Sequence, residues 1–267
     1  MKVFLTSDFH LNSGNIGLYE GRPDGRDAKA MGERLVAACN AAAGPADVLF
    51  HVGDFILSGA DRHDAGTGED VSDGPGQDEW LKRIDTNVVL VEGNHDASNG
   101  KSMVRMAAMP APAPFGRASV GHYPSWYPGY QGFDGTRSKP ALHFCGHVHG
   151  KWLASWDGER NVVNVNVGVD VWNMRPVLRE DASEVGRFVA DLARARGSRR
   201  LTLTRKEYEA ETAKARAAAA ERRGRRRAEK LVRKGVTPEE AERRRREAML
   251  AKGLDPDRKA SGTTPAA

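Results

Sequence analysis

Five short apolar segments, each followed within a few residues by Asp, Asn or His, constrain the fold of this chain more than any other feature. The segments cover residues 3–5, 48–52, 88–91, 118–120 and 142–145. Short runs rich in Val, Leu and Phe are typical of buried strands. The pattern therefore predicts a sheet whose strands end in chemically active side chains.

Helices are predicted between these strands. Residues 27–43 place Ala, Met, Leu and Val at helical intervals and stop at Gly44-Pro45, which indicates a helix end. Residues 78–84 and 102–109 are predicted as further helices, and a final strand pair is expected around residues 162–171. Strands that alternate with helices predict an α/β fold with a partly parallel sheet, in which ligands bind beyond the carboxyl ends of the strands.

The polar residues beyond the strand ends have the composition of a metal site. Residues two apart in a strand point the same way, so Asp8 and His10 could hold one cation together. His147 and His149 form a second such pair, with glycines on both sides that allow close backbone approach. The predicted metal ligands are Asp8, His10, Asp54, Asn94, His122, His147 and His149.

Two cations account for these ligands. We assign Asp8, His10, Asp54 and His149 to one ion, and Asp54, Asn94, His122 and His147 to the other. A carboxylate has two oxygens and can bridge two cations, which gives Asp54 a place in both sets. Imidazole and oxygen ligands without thiolate favour two Mn²⁺ ions, with Fe or Zn²⁺ as alternatives.

Such a site suits the hydrolysis of phosphate esters. Two cations lower the pKa of a shared water toward about 7 and hold the phosphoryl oxygens during displacement. His95 remains free to protonate the leaving oxygen as a general acid, and Asp96 is predicted to orient its imidazole. Each of these residues alone would be an ordinary surface or capping residue, but their joint position at five strand ends favours a site.

The motifs Asp8-Phe9-His10, Gly53-Asp54, Gly93-Asn94-His95-Asp96, His122 and Gly146-His147-Val148-His149 together resemble those of calcineurin-like metallophosphoesterases. The resemblance spans roughly residues 1–180 and is nearest to small, single-domain phage and bacterial members. These carry stretches similar to Asn15-Ile16, Arg22-Pro23 and residues 166–172. The resemblance implies a four-layer α/β/β/α sandwich with a di-metal centre.

Some features depart from that family. Protein Ser/Thr phosphatases follow the second motif with Asp-Arg-Gly, whereas here Asp54 is followed by Phe55-Ile56-Leu57, which weakens the case for a phosphoprotein substrate. Asn12 to Gly14 occupy a loop where relatives often have another His. Residues 58–76 form a long insertion rich in Gly and Asp.

These observations predict a phosphodiesterase for nucleotide or nucleic acid esters, since His95 is retained and the C-terminus is basic. Two alternatives stay open. One is a phosphomonoesterase for a small metabolite or a phosphoprotein, and the other is a non-catalytic scaffold or nucleic-acid-binding protein with the same fold. The native substrate, the metal and the oligomeric state are not specified by the sequence.

The charge is unevenly distributed along the chain. From residue 181 onward there are about 24 Lys and Arg against about 14 acidic residues, whereas acids predominate before it. We predict a catalytic domain over residues 1–180, a docked helix and edge strand within 181–204, and a basic, helical or disordered tail over 205–267. The tail could bind nucleic acid, or be merely solvated.

The remaining residues predict a cytoplasmic protein without membrane association. No apolar run approaches the roughly 20 residues that span a bilayer, and the N-terminus lacks the apolar segment of a signal peptide. Cys39 and Cys145 cannot form a disulfide framework. His51 and His143, inside apolar runs, are predicted to be core or supporting histidines. Trp126, Tyr127 and Tyr130 either pack their loop or stack a nucleobase.

Overall fold

The computed structural model describes residues 1–57, 74–96, 107–108, 118–136, 138–233 and 236–252. The chain divides into two units, Met1–Tyr208 and Glu209–Ala267, and each is considered by itself. The strands in the described part are β1 (Val3–Thr6), β2 (Val48–Val52), β3 (Asn87–Val91), β4 (Ala107–Ala108), β5 (Ala118–Val120), β6 (Ala141–Cys145), β7 (Ala154–Asp157), β8 (Val162–Asn166), β9 (Val177–Leu178) and β10 (Arg200–Leu203). The helices there are α1 (Gly14–Tyr19), α2 (Ala28–Ala42), α3 (Gln77–Leu81), α4 (Arg179–Ala195), α5 (Arg205–Arg233) and α6 (Pro238–Leu250).

Two mixed sheets form the first unit. One has the strand order β3-β2-β1-β9 and the other β10-β7-β8-β6-β5-β4. In the first sheet β1, β2 and β3 are parallel, and in the second β5, β6 and β8 are parallel. Each parallel set therefore brings the carboxyl ends of its strands to one edge.

The two edges are joined next to these strand ends. Ser7 forms an isolated parallel bridge with Gly168, which lies just beyond β8. The Val169 N–H donates to the Ser7 carbonyl at 3.2 Å. This backbone link brings the loops that follow β1 and β8 into contact, although they belong to different sheets.

A hydrophobic core lies between the sheets. Leu5 and Val52 of the first sheet belong to the same buried cluster as Leu142 and Val165 of the second, and α4 contributes Val185. Because side chains alternate along a strand, Phe4 points the other way and packs in a second cluster. That cluster includes Met31 and Leu35 of α2 and Trp80 of α3.

These contacts confirm the α/β class but not the four-layer order. Helices cover the outer face of the first sheet. In the described part of the second sheet, the segment after β5 lies against the outward side chains: the Ser125 N–H donates to Asn164, and the Tyr130 ring meets His143 at 4.9 Å. Helix α4 packs instead on β7 and β8 from the side of the common core.

Most helix and strand predictions agree with the structure. The helix expected over residues 27–43 is α2, which begins after Asp27, whose side chain accepts from the Ala30 N–H. The one expected over 78–84 is α3, which is shorter. The five apolar segments form β1, β2, β3, β5 and β6.

Two local predictions need correction. A helix was expected over residues 102–109, but Ala107–Ala108 form a strand that pairs antiparallel with β5, because tertiary pairing outweighs the helical propensity of alanine. Residues 102–106 and 109 lie outside the described part. The strand pair expected around 162–171 is also wrong: β8 pairs with β6 and β7, and Val169–Val171 form a 3-10 turn.

The segment after residue 178 completes the first unit. Helix α4 packs in the core, and β10 pairs with β7 at the edge of the second sheet. Helix α5 begins with a capping exchange, in which the Thr204 N–H donates to Glu207 and the Glu207 N–H donates to the Thr204 hydroxyl. Arg205 donates to the Val171 carbonyl at 2.6 Å.

The second unit contains the rest of α5 and α6. The Thr237 hydroxyl accepts from the Glu240 N–H at 3.2 Å and so caps the N-terminus of α6. The predicted division of the chain into domains stays a prediction. None of the helices in the described part combines the length and apolar character needed to cross a bilayer.

Candidate metal centre

The predicted ligands lie on loops that leave the strands, and their backbone is unusual. Five of them have positive φ: Asp8 (59°), His10 (48°), Asp54 (56°), His147 (71°) and His149 (49°). Non-glycine residues seldom adopt this conformation, and such strain concentrates at functional sites. The prediction that Asp8 and His10, and likewise His147 and His149, project together from an extended strand is therefore wrong. Left-handed turns direct these side chains inward.

One group of donor atoms comes from both sheets. Asp8 follows β1, His149 follows β6, and together with His10 they place donor atoms within 4.8 Å of one another. The Asp8 carboxylate also accepts the His147 N–H at 3.0 Å, so that it holds the loop that presents both histidines. Asp8 and His10 are buried, whereas His149 is partly exposed.

A second group surrounds His122. Its Nε2 lies 3.2 Å from Asp54 Oδ2 and 2.9 Å from Asn94 Oδ1. Asn94 Oδ1 also lies 3.0 Å from His147 Nδ1. The structure thus brings together the four residues that were assigned to the second cation.

Asp54 belongs to both groups. Its Oδ2 is 3.4 Å from His10 Nε2 and 3.2 Å from His122 Nε2, and the side chain is 2% exposed. Its Oδ1 accepts the His95 N–H at 2.9 Å. One carboxylate oxygen therefore faces imidazole nitrogens of both groups, which is the arrangement expected of a bridging ligand.

Glycines create the space for this crowding. A Cβ on Gly93 would overlap the Asp54 backbone and carboxylate, and one on Gly146 would overlap Ser7 and Asp8. Gly93 precedes Asn94, where two loops of the first sheet approach each other, and Gly146 precedes His147, where loops of the two sheets meet. A larger residue at either position would displace a candidate ligand.

Burial and charge shift the pKa of these groups strongly. Burial raises the pKa of Asp8, while burial lowers that of His10 to about 3. Burial alone would lower the pKa of His122, but the Asp54 and Asp8 carboxylates outweigh it and raise the value to about 9. For Asp54, burial is outweighed by His122 and His10, and the pKa falls below its usual range. In this buried site, nearby positive charge therefore keeps the Asp54 carboxylate ionised.

The donor set fits divalent cations. His10 Nε2 is buried and has no hydrogen-bond partner, although a lone pair or N–H there requires one. His122 Nδ1 lies 3.0 Å from the Val52 carbonyl, which only accepts, so Nδ1 carries the proton. Because the pKa of His122 is raised, Nε2 also holds a proton in the metal-free protein, between the Asn94 and Asp54 oxygens. A cation bound by these atoms would take the place of that proton.

A second layer of residues supports the ligands, and here the sequence prediction was incomplete. Asp170 Oδ2 lies 3.1 Å from His149 Nδ1, and Arg22 binds the same carboxylate through Nε at 2.7 Å. Arg22 also donates to the Asp8 carbonyl at 2.7 Å. Arg22 is buried and links the Asp8 loop to Asp170. Asn166 donates to the His149 carbonyl at 2.7 Å.

The missed residues were visible in the sequence, but only as part of the family resemblance. Arg22 lies in the Arg-Pro stretch, and Asn166 and Asp170 lie in the stretch 166–172. Nothing in their spacing links Arg22 to Asp170, which is 148 residues away along the chain. The contact depends on the bridge between the two sheets.

The two predicted catalytic residues lie on the loop after β3. The His95 ring packs edge-on against the His10 ring at 5.1 Å and is partly exposed. The Asp96 carboxylate accepts the N–H groups of Gly93, Asp54 and Phe55, and so fixes two ligand loops relative to each other. The orientation of the His95 imidazole by Asp96 stays a prediction.

Comparison with known proteins gives distant structural similarity. A protein of unknown function from Aquifex aeolicus matches with 18% identity and a TM-score of 0.45, over 69% of this chain and 98% of that chain. A single-substitution mutant of Vps29 from Entamoeba histolytica matches with 16% identity and a TM-score of 0.30, over 61% of this chain and 73% of that chain. No protein-family model and no curated protein sequence matches.

Aromatic side chains border the group around His122. Tyr127 stacks on Tyr123 with parallel rings 4.9 Å apart, and both rings meet His147 edge-on, at 4.6 and 4.9 Å. Tyr127 is 41% exposed. Trp126 contacts Trp152. These rings pack the loop, and the partly exposed Tyr127 ring lies beside a candidate ligand.

The two other histidines are buried, as predicted. His143 lies between the Ser119 hydroxyl and the Tyr123 carbonyl, each 2.9 Å from a ring nitrogen. His51 lies between the rings of Phe9 and Phe55. Most of the 58–76 insertion lies outside the described residues. Near the end of the insertion, within the described part, Asn12 donates to the Pro75 carbonyl.

Proposed function

We propose that this protein is a metal-dependent phosphoesterase of the calcineurin-like metallophosphoesterase superfamily, and that its preferred substrate is a phosphodiester of the nucleotide or nucleic acid type. The observation that carries the proposal is the position of Asp54 Oδ2, 3.4 Å from His10 Nε2 and 3.2 Å from His122 Nε2. A shared carboxylate between two imidazole-rich groups is suited to a pair of cations.

The first cation would be held by Asp8, His10, Asp54 and His149, and the second by Asp54, Asn94, His122 and His147. When bound, two such ions supply an activated water and charge compensation for the phosphoryl oxygens. The ligand set contains imidazole and oxygen donors only, which favours Mn²⁺, with Fe and Zn²⁺ as alternatives.

The exposure of the ligands indicates where the substrate would enter. Asn94 is exposed and His95, His147 and His149 are partly exposed, whereas Asp54 and its neighbours in the interior are buried. An ester that approaches from the exposed side would meet the His95 imidazole next to the cluster. His95 would then donate a proton to the leaving oxygen, a role that a positioned histidine commonly fills in general acid catalysis.

The preference for a diester rests on a surface for a second organic group, because a monoester and a diester both release an alcohol that needs a proton. The Tyr127 ring beside His147 offers such a surface for a nucleoside. Base stacking on such a ring contributes roughly 1–3 kcal/mol. A phosphomonoester would gain less from this edge of the site.

The test is hydrolysis of bis-p-nitrophenyl phosphate and p-nitrophenyl phosphate by protein stripped with a chelator and reloaded with Mn²⁺, Zn²⁺, Fe²⁺ or Mg²⁺. We expect the Mn²⁺-loaded protein to cleave the diester with a larger kcat/KM than the monoester. The stripped protein should cleave neither. The Asp54→Asn variant, purified in the same way, should lose the activity and thereby exclude a contaminating phosphatase.

The alternative outcomes are distinct. Cleavage of the monoester alone would replace the diester proposal with a phosphomonoesterase. If Asp54→Asn kept both the activity and the metal content of the wild type, the bridging role would be contradicted. Absence of hydrolysis with every metal, in protein that binds two ions, would favour a scaffold that has kept the site without turnover.

A further inference from the structure

Helix α5 continues beyond the first unit, and its charges are segregated around the helix axis. At 3.6 residues per turn, the side chains of Arg216, Arg223, Arg226 and Lys230 fall within an arc of about 80°. All of them are exposed. Between residues 216 and 233 the acids are Glu221 and Glu229, and both lie outside this arc. We call these four residues the cationic face.

The other side of the helix is compensated. Lys214 pairs with Glu211 at 2.9 Å, and Arg225 pairs with Glu221 at 3.3 Å. In the described part of the chain, no side chain of the cationic face forms an ion pair or a hydrogen bond. Positive charge is therefore concentrated on one side of α5, whereas an ordinary solvated helix intersperses both signs.

Helix α6 provides an internal comparison. It has four consecutive arginines, yet Arg243, Arg244 and Arg245 pair with Glu247, Glu240 and Glu242. A basic composition alone thus does not produce an unpaired face. The arrangement on α5 is a property of residue order around that helix.

The chemistry of the helix discriminates between polyanions. A helix that binds a membrane surface needs a broad apolar face with Trp, Phe or Leu. Between residues 209 and 230, α5 has Ala as its apolar residue and no larger one. Arginine, in contrast, suits phosphodiester groups because its planar fork donates several hydrogen bonds. The cationic face extends over about 21 Å at 1.5 Å per residue, a length that spans several phosphates of a duplex.

We infer that the cationic face of α5 is a nucleic-acid-binding surface that contacts the phosphate backbone without reading the base sequence. This inference does not rest on the proposed function, because the binding requires no metal and no hydrolysis. If the proposed function also holds, α5 would raise the local concentration of a nucleic acid substrate.

The experiment compares two double variants of the full chain. Arg223→Gln with Arg226→Gln removes two charges from the cationic face, and Lys214→Gln with Arg225→Gln removes two from the paired side. Both change the net charge equally, and Gln has a helix propensity close to that of Arg and Lys. Circular dichroism at 222 nm checks that α5 remains helical in each variant.

Binding is measured by fluorescence anisotropy with a labelled 24-base-pair DNA duplex in EDTA, over a series of NaCl concentrations. We expect the wild-type affinity to fall steeply with salt. The cationic-face variant should bind at least tenfold more weakly at low salt, and its log–log salt slope should be smaller by about 2 because two phosphate contacts are lost. The paired-side variant should change the slope by less than about 1.

Three results would overturn the inference. The first is that the wild-type protein does not bind DNA at low salt. The second is an equal loss of DNA affinity in both variants, which would show that net charge alone, and not the cationic face, determines binding. The third is tighter binding to vesicles of phosphatidylcholine and phosphatidylserine than to DNA, with the same variant dependence. Hydrolysis of bis-p-nitrophenyl phosphate by the cationic-face variant should match the wild type, so that a failure here is separable from a failure of the proposed function.

Discussion

Asp170 Oδ2 lies 3.1 Å from His149 Nδ1, and Arg22 donates to the same oxygen through Nη2 at 3.0 Å. Because a carboxylate accepts, the His149 ring donates through Nδ1 and leaves Nε2 for a cation. Such carboxylate and histidine pairs fix the orientation of a metal ligand and raise its basicity. The candidate centre thus depends on a contact between residues that are far apart in the sequence.

The first prediction concerns this contact. Asp170→Asn should lower the affinity for Mn²⁺ by roughly 10–100-fold, since a partner of this kind contributes that much to metal binding. Titration calorimetry of the stripped protein measures it. Asp24→Asn is the matched control, because Asp24 also pairs with an arginine, Arg34, but at the surface. Thermal unfolding without metal shows whether the variant remains folded, and unchanged affinity in a folded variant would refute the role.

The second prediction separates His95 from the ligands. His95→Asn should keep two bound metal ions per chain and lose roughly 10²–10⁴ in kcat on a dinucleotide substrate, because the leaving alcohol needs a proton. The loss on bis-p-nitrophenyl phosphate should be much smaller, since nitrophenolate leaves without one. Metal analysis by mass spectrometry and parallel kinetics test this. Equal losses on both substrates would argue against a general acid.

The third prediction uses the crowding at Gly146. Gly146→Ala would force its Cβ against Ser7 and Asp8, so we expect Asp8 to move and metal affinity to fall at least tenfold. Gly44→Ala is the control, because a Cβ there meets nothing within 4 Å. Both variants are compared by metal titration. If Gly146→Ala binds metal as tightly as the wild type, the Gly146 loop can move away from Ser7 and Asp8 without disturbing the ligands, and the prediction is wrong.

The fourth prediction concerns pH. Burial lowers the pKa of His143 to about 4. The unfolded chain, with a histidine pKa near 6.5, binds this proton more tightly, so stability is fully present above about pH 6.5 and is lost as the pH falls toward 4. The contribution is about 3 kcal/mol.

Urea unfolding of metal-free protein at pH 7, 5.5 and 4.5 should show this loss in the wild type. His143→Gln should be less stable at pH 7, because it disturbs the contacts with Ser119 and Tyr123. Its stability should then fall less between pH 7 and 4.5, so that the two curves converge. Parallel curves would show that His143 does not titrate in this window.

The sequence alone determined the elements that its local pattern encodes. Segment 48–52 is β2 and residues 28–42 are α2, because a short apolar run and a helical repeat with a clear end are local signals. The seven candidate ligands could be named because each follows a strand or a loop at a recognisable motif. Ala107–Ala108 could not be predicted, since alanine favours a helix until a neighbouring strand supplies hydrogen bonds.

Only the tertiary structure decided how these ligands are held. The left-handed conformations of Asp8, His10 and Asp54 arise where loops of two sheets meet, and no local propensity specifies them. The same is true of Arg22 and Asp170, which become neighbours through the bridge between Ser7 and Gly168. A sequence records which donor atoms are available, but the packing of one sheet on another determines which of them face the same point in space.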